Sequence, residues 1–229
     1  MGGTTPKVLL KIKGKPIIFW AIESLLKIGI DDIYVVVNFG AEKIKKSVGG
    51  EYPEVKFVHH TGVLGTGGST RAAVDKIELK NTVLVLFGDD SALYKSATLK
   101  RFVMAHEKAQ NTATFMTISF DKPSAIGGLL IDEDGRVLGV MTKSELEESR
   151  CGRHQVACGA FCFDRKWLKE NIGLVKKSDS SGEVPLPGLI YVGAEKGEFA
   201  RTFEISDSNE WGSVNTKDEL KEVRRKKKL

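Results

Sequence analysis

Residues 82–90 read TVLVLFGDD, an apolar run that ends in a glycine and two aspartates. The run is the most apolar in the chain and has the length of a β-strand, so we expect a strand over 82–87 that is buried on both faces of a sheet. Ligands bind at the carboxyl ends of strands in open α/β sheets. The run therefore predicts an α/β fold with Gly88, Asp89 and Asp90 at its binding edge.

The segments before this strand alternate between helical and strand patterns. Apolar residues recur at helical spacing over 17–26, directly after Pro16, which suits a first helical turn. Short apolar runs at 33–37 and 55–58 predict strands, and a polar helix is expected between them at 41–48. This alternation predicts parallel βαβ units.

Beyond residue 110 the pattern changes to short strands separated by polar turns. The predicted strands cover 112–120, 128–131, 137–141 and 156–163, and a helix is expected over 216–226. This second half predicts a mixed sheet. Because 229 residues suffice for one substantial core, we expect a single globular unit.

The net charge of +5 is concentrated at the C-terminus, where Lys221 and the five cations of 224–228 crowd the last nine residues. Such a tail can bind nucleic acid or an anionic surface. It can also be a solvated helix end whose cations suit the helix dipole. No aromatic residues are interleaved to stack on bases, so we favour the helix end and do not expect nucleic acid among the partners.

Composition also bears on the cellular compartment. No apolar run approaches the roughly 20 residues that cross a bilayer, and the N-terminus lacks a signal-peptide pattern, so we expect a cytoplasmic protein without a membrane partner.

The chain has three cysteines. Cys158 and Cys162 lie at strand spacing in an apolar segment, where core packing is favoured over metal binding, and we expect all three thiols to be reduced.

Two glycine-bearing segments carry candidate phosphate or base contacts. Lys7 precedes the turn 14–16 (GKP) and could neutralise phosphate oxygens as a compact cation, or be one surface lysine among many. Residues 65–70 (GTGGST) could bring the backbone close to a base or phosphate, with Ser69 or Thr70 capping the next helix, or form a generic strand-to-helix loop.

His60 and Asp89 are the polar side chains at predicted strand ends. His60 could donate or accept a hydrogen bond at a nucleobase, or simply end its strand. Asp89 is placed to hold Mg²⁺ with a bound triphosphate, because Mg²⁺ takes few protein oxygens and several from phosphate and water. Asp90 could be a helix cap or turn residue only.

These segments together resemble the motif series of N-acetylglucosamine-1-phosphate uridylyltransferases, within the sugar-1-phosphate nucleotidyltransferases. The resemblance spans almost the whole chain and rests, in order, on 6–9 (PKVL), 14–16 (GKP), 64–67 (LGTG), Gly88-Asp89, Gly127, Gly182-Glu183 and Val214-Asn215. It implies a Rossmann-like three-layer α/β/α fold with a mainly parallel sheet and a mixed sugar-side extension. Residues 1–110 would be the nucleotide-binding half, and 111–229 the sugar-binding half with the C-terminal helix.

The resemblance also implies a reaction and roles for single residues. UTP and a sugar 1-phosphate would give a nucleotide sugar and pyrophosphate, with Mg²⁺ as cofactor. The implied roles are metal binding by Asp89 and Asn215, phosphate binding by Lys7, nucleotide binding by Gly65, Thr66, Gly88 and His60, and sugar binding by Gly127. A homo-oligomer stays open.

The sequence departs from the family at two places. The family's first strand and its glycine-rich phosphate loop have no counterpart before Met1, which we interpret as an internal methionine; strands 33–37 and 82–87 would then lack their shared partner. On the sugar side, Thr142 and Ala157 replace a glutamate and an asparagine, and Gly128 stands where an arginine is frequent. The alternative to an enzyme is a catalytically weakened binding or regulatory subunit.

Overall fold

The computed structural model describes residues 5–62, 64–78, 80–121, 127–148, 154–179 and 181–227. Within these ranges, none of the helices has both the length and the apolar character needed to span a lipid bilayer.

The first half of the chain alternates strands and helices as the sequence predicts. Its elements are β1 (Lys11–Ile12), β2 (Lys15–Pro16), α1 (Ile17–Leu26), β3 (Tyr34–Val37), α2 (Ala41–Glu51), β4 (Lys56–His59), α3 (Thr66–Val74), β5 (Thr82–Leu86) and α4 (Ser96–Ala109). Helix α1 follows Pro16 and buries Ile17, Ile18 and Ile22, the apolar positions whose spacing predicted it.

The second half contains the predicted short strands and the C-terminal helix. Its elements are β6 (Ala113–Phe120), β7 (Gly128–Ile131), β8 (Arg136–Met141), α5 (Lys143–Glu148), β9 (His154–Asp164), α6 (Arg165–Asn171), α7 (Leu189–Glu195), β10 (Ala200–Glu204) and α8 (Lys217–Lys226).

The described strands form one large mixed sheet and two small ones. The large sheet has six strands in the order β5-β9-β6-β10-β8-β7, with β6 and β10 parallel and the other neighbours antiparallel. Strands β3 and β4 form a separate parallel pair, and β1 and β2 form an antiparallel hairpin. The predicted α/β fold is confirmed, and its sheet is more antiparallel than the alternation of the first half suggested.

Strand β5 is half-buried, although its sequence predicted burial on both faces. The physical reason is its position, because β5 is the edge of the large sheet and pairs with β9 on one side. Strand β3 pairs with β4 and not with β5. Among the described residues, no strand pairs with both β3 and β5.

The carboxyl ends of β3 and β5 flank the same N-terminal segment. A Cβ at Gly40, three residues after β3, would overlap the ring of Pro6. A Cβ at Gly88, after β5, would lie 3.0 Å from Val8 Cγ1. The segment that carries Lys7 therefore lies between the ends of the two strands.

Apolar clusters cover both faces of the large sheet. One contains Phe115, Phe161 and Leu186, and the other contains Cys158 and Cys162, which are both fully buried. The prediction that these two cysteines pack in the core is confirmed, and burial raises the pKa of both thiols. Cys151 lies outside the described residues.

Basic side chains of α8 dock that helix onto the rest of the molecule. The Arg224 guanidinium donates two hydrogen bonds of 3.0 and 2.9 Å to the Lys11 carbonyl oxygen. Lys227 Nζ donates to the Ala92 carbonyl oxygen at 2.7 Å and lies 4.3 Å from the centroid of the Trp20 ring. These contacts support the helix-end interpretation of the basic tail.

Candidate functional site

Lys7, Asp89 and Asn215 meet at the carboxyl end of β5. Lys7 Nζ donates to Asp89 Oδ2 at 2.6 Å and to Asn215 Oδ1 at 2.8 Å. The three residues are 82 and 208 positions apart in the chain, so only the tertiary fold brings them together. The structure thus gathers the three residues to which the sequence assigned the phosphate and the metal.

Three different elements present these side chains. Lys7 opens a 3₁₀ turn, Lys7–Leu9, that continues from Pro6. Asp89 lies in the turn after β5, where the Asp90 amide donates to the Phe87 carbonyl oxygen at 3.2 Å. Asn215 immediately precedes Thr216, the N-cap of α8. Each side chain therefore projects from the start or end of an ordered element.

The Asn215 side chain is held in one orientation by its neighbours. Its amide nitrogen Nδ2 donates to Ser213 Oγ at 2.7 Å, which leaves Oδ1 directed at Lys7. Thr216 and Glu219 form a capping box at the start of α8, and Glu219 also accepts a hydrogen bond from the Asn215 backbone amide. The sequence T-x-x-E at 216–219 could have predicted this box.

Asp90 follows Asp89 in the turn and is half-buried. Its carboxylate packs against Gly159, where an added Cβ would lie 2.6 Å from Asp90 Oδ2. Burial raises the pKa of Asp90 to about 6; a hydrogen bond from Ser213 opposes this shift and the nearby Asp89 charge adds to it. Asp90 occupies the N-cap position of the following 3₁₀ turn, as one of the two interpretations expected, but its side chain makes no capping bond there.

The glycine-bearing loop 64–67 packs against residues 183–186. Gly65 has φ +102°, and a Cβ there would lie 2.5 Å from the Val184 carbonyl oxygen. At Gly67 a Cβ would lie 2.8 Å from Val184 Cγ1. These glycines are needed for close packing within the protein, a requirement that the sequence did not reveal.

Helix α3 begins at Thr66, not after Ser69 or Thr70. Its N-cap residue is Gly65, without a side-chain cap. Both proposed capping residues lie inside the helix, where the Thr70 hydroxyl donates to the Thr66 carbonyl oxygen at 2.8 Å. The capping prediction is therefore wrong, because the helix starts as soon as the glycine turn is complete.

His60 extends the pairing of β3 and β4 and is buried, with 4% exposure. Its backbone amide donates to the Val37 carbonyl oxygen at 2.9 Å, and its Nδ1 accepts from the Gly62 amide at 3.4 Å. The imidazole thus supports the turn after β4. A contact with a nucleobase stays a prediction.

Gly127 and Thr142, which the resemblance places on the sugar side, lie next to each other in the structure. Gly127 has φ +81°, and a Cβ there would overlap the Met141 carbonyl oxygen. Thr142 Oγ1 accepts a hydrogen bond from the Glu145 amide at 3.3 Å and so caps α5, while the Thr142 amide and hydroxyl donate to Glu145 Oε2 at 2.6 and 2.8 Å. Ala157 is half-buried against the core cluster of Phe115 and Phe161. Gly127 is thus a glycine for steric reasons, and its role in sugar binding stays a prediction.

Comparisons with known proteins identify the family of the chain. Residues 3–225 match the family described as nucleotidyl transferase. The chain is 30% identical to the bifunctional protein GlmU of Clostridium novyi (strain NT) over 223 residues, and 29% identical to that of Alkaliphilus metalliredigens (strain QYMF) over 224 residues. Each alignment covers 97% of this chain and 48% of the relative, so the chain spans about half the length of these curated relatives.

Solved structures share the fold at lower identity. HddC from Yersinia pseudotuberculosis superimposes with a TM-score of 0.73 at 19% identity, covering 99% of this chain and 92% of that one. A putative glucose-1-phosphate thymidylyltransferase from Bacillus anthracis gives 0.76 at 18% identity, covering 97% and 86%. These likenesses confirm the fold predicted from the motif series. Because the family model matches residues 3–225, the chain belongs to the nucleotidyl transferase family.

Proposed function

We propose that this chain transfers a nucleotidyl group from a nucleoside triphosphate to a sugar 1-phosphate and releases pyrophosphate. The observation that carries the proposal is the convergence of Lys7, Asp89 and Asn215 on one point. The family match and the likeness to GlmU support the reaction class. UTP is the first nucleotide to test, because the motif series resembles that of uridylyltransferases.

The reaction needs positioning and charge neutralisation more than proton transfer. A phosphate monoester is already anionic near neutral pH, so its oxygen can attack the α-phosphorus in line without a general base. The Lys7 ammonium would pair with phosphate oxygens and offset the charge that develops on the leaving pyrophosphate. Its attachment to a short ordered turn fixes its position before the substrate arrives.

Two oxygens at this point suit a divalent metal ion. Asp89 Oδ2 and Asn215 Oδ1 both lie within 2.8 Å of a single cationic nitrogen, Lys7 Nζ. An oxygen set of one carboxylate and one amide fits Mg²⁺, which takes its remaining ligands from phosphate and water. When bound there, Mg²⁺ would take these two oxygens from the Lys7 ammonium, which would then pair with the phosphates, and the metal would neutralise phosphate charge and orient the triphosphate.

The proposed halves of the site meet across the large sheet. Residues 1–110 would bind the nucleotide through Gly65, Thr66 and Gly88, with His60 near the base. Residues 111–229 would bind the sugar, with Gly127 at the pocket. The pairing of β5 with β9 joins these halves in one sheet, which supports a site between them.

N-acetylglucosamine 1-phosphate is not expected to be the preferred acceptor. The Thr142 side chain already caps α5, and Ala157 has no polar atom to offer. A polar substrate group left without a partner costs roughly 1–3 kcal/mol, or about tenfold to a hundredfold in kcat/KM. A panel of sugar 1-phosphates should therefore show a better acceptor than the N-acetylglucosamine compound, and a clear preference for that compound would contradict the argument.

The proposed reaction is tested by crossing that panel with the common nucleoside triphosphates in the presence of Mg²⁺. Pyrophosphate release is recorded for the wild type and for Asp89→Asn. Release that depends on both substrates and on Asp89 would support the proposal. Nucleotide binding without release from any pair would favour the binding or regulatory alternative.

A further inference from the structure

Three hydrogen bonds join loop 64–67 to the 183–186 segment. The Val184 amide donates to the Leu64 carbonyl oxygen at 2.9 Å, and the Gly67 amide donates to the Val184 carbonyl oxygen at 2.8 Å. The Leu186 amide donates to Thr66 Oγ1 at 2.9 Å. The loop is thus held by backbone bonds at both ends and by one side-chain bond between them.

The 183–186 segment is itself anchored in the core. Leu186 is fully buried and belongs to the cluster that contains Phe115 and Phe161. The turn before the segment is closed by a 2.8 Å bond from the Ser178 amide to the Glu183 carbonyl oxygen. The bond between Leu186 and Thr66 therefore connects loop 64–67 to the packed interior of the other half of the chain.

We infer that Thr66 is a positioning residue that makes loop 64–67 and the 183–186 segment move as one unit. Its hydroxyl oxygen accepts the hydrogen bond of the Leu186 amide, so the Thr66 side chain holds the loop against the sugar side of the chain and the loop backbone is left to face the nucleotide. The inference rests on the proposed function, in which the loop serves the nucleotide and residues 182–183 belong to the sugar half. Substrate binding on the two sides is then coupled through one hydroxyl group.

The chain offers a conservative variant and a matched control. Thr66→Val keeps the side-chain shape and removes the acceptor of the Leu186 amide, whereas Thr66→Ser keeps the hydroxyl. Thr70→Val removes a hydroxyl one helical turn later in α3, which donates to the Thr66 carbonyl oxygen within the same helix. Both valine variants make the same Thr→Val replacement in α3, and only Thr66→Val removes the acceptor of the Leu186 amide, so a KM difference between them is attributed to that bond.

Steady-state kinetics separate a positioning role from direct contact. Thr66→Val should raise KM for both the nucleotide and the sugar 1-phosphate by roughly tenfold, as expected from the loss of one buried hydrogen bond. It should change kcat by less than about threefold, because the reacting groups are elsewhere. Thr66→Ser should restore both KM values, and Thr70→Val should leave them unchanged. A KM increase confined to the nucleotide would overturn the inference, since Thr66 would then contact that ligand directly.

Hydrogen exchange tests the same coupling without turnover. In Thr66→Val, peptides spanning 64–67 and 182–186 should both exchange faster than in the wild type and in Thr70→Val, because the two segments lose protection together. Unchanged protection of residues 182–186 would overturn the inference. It would also be overturned if both valine variants lost thermal stability equally and neither changed KM. Absence of turnover by the wild type with every substrate pair would refute the proposed reaction alone, and the exchange result would still decide the role of Thr66.

Discussion

Replacing Lys7 by methionine should abolish most activity while leaving the fold nearly as stable. The ammonium group is directed by two oxygens, at 2.6 Å from Asp89 and 2.8 Å from Asn215, and is thus preorganised for phosphate charge. Removing one such preorganised group lowers kcat by about 10²–10³, which corresponds to about 2.7–4 kcal/mol of transition-state stabilisation. Lys7→Met should therefore lower kcat/KM by about that factor.

The stability effect should be much smaller than the catalytic one. The side chains of Lys7 and Asp89 are 41% and 28% exposed, so solvent screens their ion pair. Ion pairs of this kind contribute about 0–1 kcal/mol to the free energy of unfolding. Lys7→Met should therefore unfold in urea with a free energy within about 1 kcal/mol of the wild type.

Lys56→Met is the matched control for this experiment. Lys56 forms a 3.0 Å ion pair with Asp32, and its side chain is 58% exposed. This variant should lose a similar small amount of stability and keep its pyrophosphate release. The reasoning would be refuted if Lys7→Met retained activity within about threefold of the wild type. It would also be refuted if both variants lost activity in proportion to stability.

Three further outcomes are expected. Asp89→Asn should weaken Mg²⁺-dependent triphosphate binding by roughly tenfold or more in calorimetry, because contacts to charged groups contribute about 1.5–3 kcal/mol. Asp32→Asn is the control variant, and equal triphosphate affinity in both variants would remove Asp89 from the site. Burial lowers the pKa of His106, so the unfolded chain binds the proton more readily than the folded one. The free energy of unfolding should therefore rise with pH until the usual histidine pKa near 6.5 is passed. A His106→Gln variant with the same pH dependence of unfolding would contradict this prediction. The Leu84 and Leu86 amides of β5 point away from β9. Hydrogen exchange followed by NMR should therefore be faster at these amides than at those of Val83 and Val85. Equal protection of all four amides would mean that another strand pairs with that edge.

Local sequence patterns predicted the elements well but not how they pair. The apolar periodicity of α1 and the β-branched run of β3 depend on near neighbours, and both elements lie where expected. The antiparallel pairing of β5 with β9 joins residues 74 to 82 positions apart in the chain, from Leu86 with Ala160 to Thr82 with Asp164, which no local pattern encodes. For the same reason the apolar run 82–87 could not show that its strand would be an edge.

The site was predictable only where separate motifs could be read together. Neither Lys7 nor Asn215 stands out by spacing, and their meeting with Asp89 was implied by the order of motifs across the whole chain. The glycines of loop 64–67 were visible, but their purpose depends on Val184, more than 100 residues later. Sequence reasoning therefore found the residues of this loop and missed the segment that they pack against.

Basic side chains near the C-terminus help to dock helix α8 onto the rest of the molecule. Helix α8 starts directly after Asn215 and ends at Lys226, and Lys227 then bonds to the Ala92 carbonyl oxygen, two residues beyond Asp90. Burial lowers the pKa of Lys227, and the charges of nearby lysines lower it further, so docking this ammonium costs free energy. Its hydrogen bond and its contact with the Trp20 ring offset that cost. Helix α8 therefore begins beside Asn215 and is docked, through Lys227, close to the turn that carries Asp89 and Asp90. These contacts support the interpretation of the basic tail as a helix end.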